Sequence, residues 1–149
     1  MLLEYISLYL ELVVASSLCA IALMIYRHRR DRKIERTYDL ISNLDIFAPV
    51  LSENELNNIS IEDILYGKYI EEDLDKYKKI SSYLNKFEYI SIGIRDGYFD
   101  ERLLKAFLAT AVLSAYSRYN VLIEKIRINS DSPQVYINLE ALARRWRVG

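Results

Sequence analysis

The chain has 149 residues, 28% charged and 52% hydrophobic, and its 20 Lys and Arg nearly balance 21 Asp and Glu, so the net charge of -1 marks no single class of partner. One cysteine excludes an intramolecular disulfide, and one cysteine with one histidine cannot assemble a Cys/His zinc site. Four glycines and two prolines are few turn formers for this length, which favours long helices over many short strands and an all-α fold.

The first element is apolar. Leu12 to Tyr26 is an uncharged run of fifteen residues, about 22 Å of helix and short for a hydrocarbon layer of about 30 Å. Carried back to Tyr5 it becomes 22 residues, about 33 Å, with Glu11 as the only charge and with Tyr5, Tyr9 and Tyr26 at the two interfaces. A cleaved signal wants basic residues before the apolar core, whereas here Glu4 precedes it and RHRR follows. The large Leu18 before Cys19 argues against a lipoprotein site. Six basic residues, Arg27, Arg29, Arg30, Arg32, Lys33 and Arg36, then stand against Asp31 and Glu35, which predicts a cytoplasmic flank and an amino terminus outside the cell membrane.

The predicted organisation is thus an uncleaved single-pass anchor over residues 1–30, preferred to a soluble core helix, followed by one helical cytoplasmic domain over 31–149. The basic cluster also suits anionic lipid headgroups, although orientation of the anchor suffices to explain it. Within the anchor, Glu11, Ala15, Cys19 and Ala22 share one helix face, a candidate contact for another membrane helix or a second copy.

Beyond the membrane the first helix is expected to continue through a stripe of Ile34, Tyr38, Ile41 and Leu44 or Asp45, and to stop before Pro49. Ser52 with Glu55, and Ser60 with Asp63, predict two short helices, the second ending near Gly67. A longer helix is expected over Glu71 to Asp96, with Ile70, Leu74, Tyr77, Ser81, Leu84, Phe87, Ser91 and Ile94 inward and Gly97 as its left-handed cap. Asp100 caps the next, which carries Leu103, Leu104, Phe107, Leu108, Ala111, Leu113, Ala115, Tyr119, Leu122 and Ile126. The short link forces an antiparallel helix hairpin. Ser132 and Pro133 read as the N-cap and first position of a last helix burying Val135 or Tyr136, Leu139, Leu142, Ala143 and Trp146. The whole is a small helical bundle behind a transmembrane helix.

Tyr83, Leu84, Asn85, Phe87, Glu88, Ile90, Gly93, Ile94, Gly97, Tyr98, Asp100 and Glu101 together resemble the core motif of the prokaryotic family labelled domain of unknown function 4760. Tyr136, Glu140, Ala143 and Trp146 resemble its last helix, so the likeness covers about residues 34–147. It implies an amino-terminal membrane helix before a helical domain, and a setting in a mobile element or a system of defence against viruses. It implies no reaction.

Glu88 sits beside the buried stripe of its helix, where a carboxylate must be neutral, paired or hydrogen-bonded. One reading makes it an acid, base or ligand in a polar pocket with Tyr89, Arg95 or Arg118; the preferred one makes it a partner of Arg118 or Arg95, or a cap on nearby backbone. Gly93, inside a helix, is read as room for a neighbouring helix. No phosphate loop, nucleophile elbow or metal-protease motif occurs, no cofactor is expected, and the acidic residues 52–101 make nucleic acid an unsuitable partner. The sequence therefore predicts a membrane-anchored interaction or regulatory module, with lipid and a protein partner or homo-oligomer as its contacts. A structural subunit of a larger membrane complex and a membrane-surface enzyme using a pocket around Glu88 are the alternatives.

Overall fold

The computed structural model describes residues 2–43 and 71–148. Four helices account for them: α1 (Leu2–Asn43), α2 (Glu71–Arg95), α3 (Glu101–Asn129) and α4 (Ile137–Val148), with no strand among the described residues. The short helices expected after Ser52 and Ser60, the stop before Pro49, and the stripe positions Leu44, Asp45 and Ile70 lie outside the described residues.

α1 is a single helix of 42 residues, about 63 Å long, and it passes residues 30 and 31 without a break. Its most apolar 18-residue window has a mean hydropathy of 1.9, and none of that window is buried. The helix is long and apolar enough to cross a membrane. Ser16 and Ser17, the polar side chains within the run, both donate their hydroxyls back to the Val13 carbonyl, at 2.9 and 2.8 Å, so the helix satisfies them internally.

Past the basic cluster α1 docks on the bundle through part of the expected stripe, since Ile41 packs on the core while Tyr38 does not. Tyr38 is half exposed, and the residue facing inward is Thr37, which is fully buried, with Leu40 and Ile41 packed on the apolar core one turn later. Ile41 lies where the stripe places it, and Thr37 takes the inward position expected of Tyr38. A threonine hydroxyl inside a core needs partners, and Thr37 has two: its Oγ1 donates to the Lys33 carbonyl and accepts from the backbone N–H of Asp100, both at 2.8 Å.

α2 ends where Gly97 adopts a positive φ of 72°. The Tyr98 N–H returns to the Gly93 carbonyl at 2.8 Å and the Gly97 N–H to that of Ile94 at 3.1 Å, a Schellman closure that satisfies the last carbonyls of the helix. The chain then reverses into α3, whose first turn is capped by the Asp100 carboxylate accepting from the Leu103 N–H at 3.1 Å.

The same reversal explains Gly93, and corrects its expected role. A Cβ on Gly93 would lie 2.3 Å from two carbons of the Phe99 ring, so the glycine makes room for a side chain folded back from the turn and not for a neighbouring helix. Phe99 itself is 3% exposed. Gly93→Ala is expected to cost about 1–2 kcal/mol, because a contact of 2.3 Å puts the overpacking at the upper end, about 2–3 kcal/mol, against the roughly 1 kcal/mol gained in helix propensity. Urea unfolding of the detergent-solubilised chain, followed by emission of Trp146, its single tryptophan, measures this. Adding Phe99→Leu should recover most of the loss.

α4 starts later than the Ser132–Pro133 signal predicts. Residues 133–136 form a turn closed by the Val135 N–H to Ser132 (3.4 Å) and the Ile137 N–H to Gln134 (3.2 Å), and Tyr136 takes a φ of 55° before the helix begins. The positive φ, uncommon for a tyrosine, redirects the chain so that α4 lies in the groove between α2 and α3. There it packs on both more extensively than they pack on each other. Tyr136, Leu139, Leu142, Ala143 and Trp146 are buried as expected. They meet Ile80, Leu84, Phe87 and Ile90 of α2 and Leu104, Leu108, Val112 and Ile123 of α3. Phe107, expected inside, is half exposed, and Val112, which was not expected inside, is fully buried.

Candidate functional site

The motif residues Tyr83–Glu101 form a hub to which the other helices are fastened. Glu88 does the first fastening. One oxygen of its carboxylate, Oε1, accepts from the Asn138 side-chain amide at 2.7 Å and the Asn138 backbone N–H at 3.3 Å, while Oε2 accepts from the Leu139 N–H at 2.7 Å. Asn138 and Leu139 are the second and third residues of α4, whose free N–H groups an N-cap side chain ordinarily takes. Tyr136 and Ile137, at the start of α4, have no side chain suited to the task. The cap is therefore supplied from α2, and its negative charge suits the positive end of the α4 dipole.

Arg95 joins this cluster through Asn138 and not by direct pairing with the carboxylate. Its Nη1 donates to the Asn138 side-chain oxygen at 2.9 Å, and its Nε donates to Asp96 at 2.8 Å. The bonded guanidinium lowers the Asp96 carboxyl below its usual range, and Asp96 raises Arg95. Arg118 belongs elsewhere: it acts on Tyr83 and Tyr119, whose rings meet edge to face at 6.2 Å. Burial raises both of these tyrosines. The three polar residues singled out in the sequence thus divide into a cap, its outer support and a separate aromatic cluster.

Glu101 does the second fastening. Its Oε1 accepts from the indole N–H of Trp146 at 2.9 Å and pairs with Arg145 Nε at 2.9 Å, which ties the last turn of α4 to the first turn of α3. The third fastening, by Thr37 at Asp100, brings in α1, and the Arg36 guanidinium covers the Tyr98 ring at 4.2 Å.

A fourth polar cluster, between α3 and α4, was not read from the sequence. Arg127 Nη1 pairs with both Glu124 and Glu140 at 2.8 Å, and its Nε donates to the Val135 carbonyl at 2.9 Å. Glu140 also pairs with Arg144 and takes a bond from Tyr116. Burial pushes the Glu140 carboxyl up, but the bond and charge of Arg127, the charge of Arg144 and the Tyr116 bond outweigh it and hold the group below its usual range. The spacing of Arg127 and Glu140 carries no local signal, because they meet only after the chain has reversed.

Two shallow surfaces flank the hub. A cleft of about 290 Å³ lies among Tyr89, Ile92, Gly93, Asp96, Tyr98 and Phe99, at the low end of small-ligand pockets. A wider one of about 550 Å³, open to solvent, follows the outer face of α2 from Tyr77 and Lys78 to Lys86 and Tyr89. No group of three or more His, Cys, Asp or Glu side chains among the described residues is arranged to hold a metal. In α1, Glu11, Ala15, Cys19 and Ala22 are exposed, and the cysteine is a free thiol. The basic residues Arg27, Arg29, Arg30 and Arg32 are exposed too, while Lys33 and Arg36 are half buried.

The sequence model of the family described as Domain of unknown function (DUF4760) matches residues 11–146, from the apolar run to the Trp146 anchor point. The chain belongs to this family. The match takes in parts of all four helices. No curated protein matches the chain, and no solved structure does.

Proposed function

We propose that the protein is a membrane-tethered helical interaction or regulatory module, held at the cytoplasmic face by α1. The observation that carries this reading is the unbroken run of α1 from its apolar, uncovered stretch to Thr37, where it is locked on the α2–α3 turn. A helix continuous across that junction fixes the height and direction of the bundle relative to the anchor. A flexible tether would fix neither.

The charge pattern supports the orientation, since RHRRDRK follows the apolar run directly. The exposed apolar side chains Phe107, Val121 and Ile128 on the outer side of α3 offer a protein partner or a second copy its contact. Glu88, on which the membrane-surface enzyme alternative depended, has its oxygens taken up by the α4 cap.

A photo-crosslinking residue placed at Phe107 or Val121 of the full-length protein in native membranes tests the reading. A discrete adduct of defined mass is the expected result. Absence of any adduct at both positions, with a monomer after mild detergent extraction, would sink it.

The lock is separately measurable. Thr37→Val keeps the volume but leaves the Asp100 N–H without its acceptor, and should lower the stability of the docked state by about 1–3 kcal/mol. Faster hydrogen exchange at the Asp100 amide, with α4 amides unchanged, is the expected signature.

A further inference from the structure

The way α1 docks also sets which end of the bundle faces the lipid. Contacts along α1 occur in a definite order: Arg36 and Thr37 meet Tyr98 and Asp100 of the turn, and Leu40 and Ile41, farther from the apolar run, meet the core. Among the other helices α1 packs on α3. Since α3 begins at Glu101, beside Thr37, and is the helix that α1 packs on as Leu40 and Ile41 reach the core, it leaves the turn in the direction in which α1 travels away from the anchor. The α2–α3 turn is therefore the edge of the bundle nearest the membrane. Trp146, bonded to Glu101, brings the end of α4 to the same edge.

The height follows from the helix. Arg36 is ten residues past Tyr26, about 15 Å along the axis. The headgroup region takes up roughly 5–8 Å of that distance, so the backbone of the turn stands about one Debye length from the lipid charges at physiological salt, a gap that extended arginine side chains span.

That edge is basic. Arg102 in the first turn of α3 and Arg145 and Arg147 in the last turn of α4 are exposed, and Arg36 and Arg95 stand at the turn. The carboxylates there are engaged, Asp96 by Arg95, Asp100 by the Leu103 N–H and Glu101 by Arg145 and Trp146. Residues 71–88 of α2, which lead away from the edge, carry five acidic and four basic side chains.

We infer that the bundle makes a second membrane contact of its own, in which the α2–α3 turn and the end of α4 rest on anionic lipid headgroups through Arg102 and Arg147. This rests on the membrane anchoring proposed above. The contact differs from that of the RHRRDRK collar, which α1 would make whether or not the bundle were docked. It orients the far end of α3, with Val121 and Ile128, toward the cytoplasm.

The test uses the full chain with Cys19→Ser, reconstituted in vesicles of phosphatidylcholine alone or with about a third phosphatidylserine. A fluorophore is placed at Val148→Cys, beside the basic edge and 90% exposed, or at Ile128→Cys, at the far end of α3 and 77% exposed. Quenching by nitroxide-headgroup lipid should be several-fold stronger at 148 than at 128, should require phosphatidylserine, and should fade in ~0.5 M salt. Arg102→Glu with Arg147→Glu should remove most of the phosphatidylserine-dependent quenching at 148 while the collar is intact. Equal quenching at both positions, or quenching indifferent to phosphatidylserine, overturns the second contact and leaves the anchor standing. Release of the chain by an alkaline wash overturns both.

Discussion

Glu140→Ala should destabilise the bundle by about 3 kcal/mol, the largest effect expected of a single substitution here. Arg127 and Glu140 are both nearly buried, with side chains 12% and 14% exposed, and removal of the carboxylate leaves a guanidinium in the interior with only the exposed Glu124 to balance it. Breaking a buried pair from one side costs about 3–5 kcal/mol, and the surviving Glu124 contact places the value at the lower end. Replacing both partners with apolar residues, as in Arg127→Met with Glu140→Leu, should cost far less than the sum of the single changes, because no charge is then stranded. A double-mutant cycle followed by Trp146 emission measures the difference.

The pair also sets an acid dependence. The folded-state pKa of Glu140 lies below the ordinary value of 4.5, so the unfolded chain takes up this proton first as pH falls. Its contribution is complete above about pH 4.5 and is lost as pH descends through the depressed folded value. Wild type should therefore lose stability below pH 4.5 more steeply than Glu140→Gln, which has no proton to gain. Equal slopes would show that the carboxylate is not held by Arg127 in solution.

Glu88→Ala is the second large effect, about 2–3 kcal/mol, since it removes the acceptor of two backbone N–H groups and of the Asn138 amide at once. Glu88→Gln, with one oxygen in place of two, should fall between. The loss should be local: hydrogen exchange should rise first at the amides of Asn138 and Leu139, while the α2–α3 turn, closed by its own backbone bonds, keeps its protection. A carboxylate serving chemistry instead would show the opposite pattern, with stability little changed by Gln.

How far the site was legible depended on the distance over which each residue acts. Glu88 stood out because a carboxylate beside an apolar stripe must find partners, but those partners lie 50 and 51 residues away and could not be named. Asp100 and Gly97 were legible in full, for a helix cap and a left-handed reversal are settled within a few residues. Gly93 was noticed for the right reason, the cost of glycine in a helix, and given the wrong neighbour, since nothing in the spacing says that Phe99 folds back over it. Thr37 was passed over in favour of Tyr38 because apolar character was used to set the phase of the stripe. A hydroxyl bonded on both sides is as much at home in that core as a ring.

The sequence by itself determined the local order of the described residues: the apolar run with its basic flank, the four helices, the tight reversal at Gly97 and most of the inward-facing side chains. These follow from hydrophobic periodicity, capping and turn chemistry, which act over a few residues and can be read along the chain. Only the tertiary structure decided what caps α4, where α4 begins, which residue of α1 faces the bundle and how Arg127 meets Glu140. Each of those depends on the tertiary packing of the helices, and a hydrogen-bond acceptor or a counter-charge from another helix satisfies a buried polar group as well as a local one does.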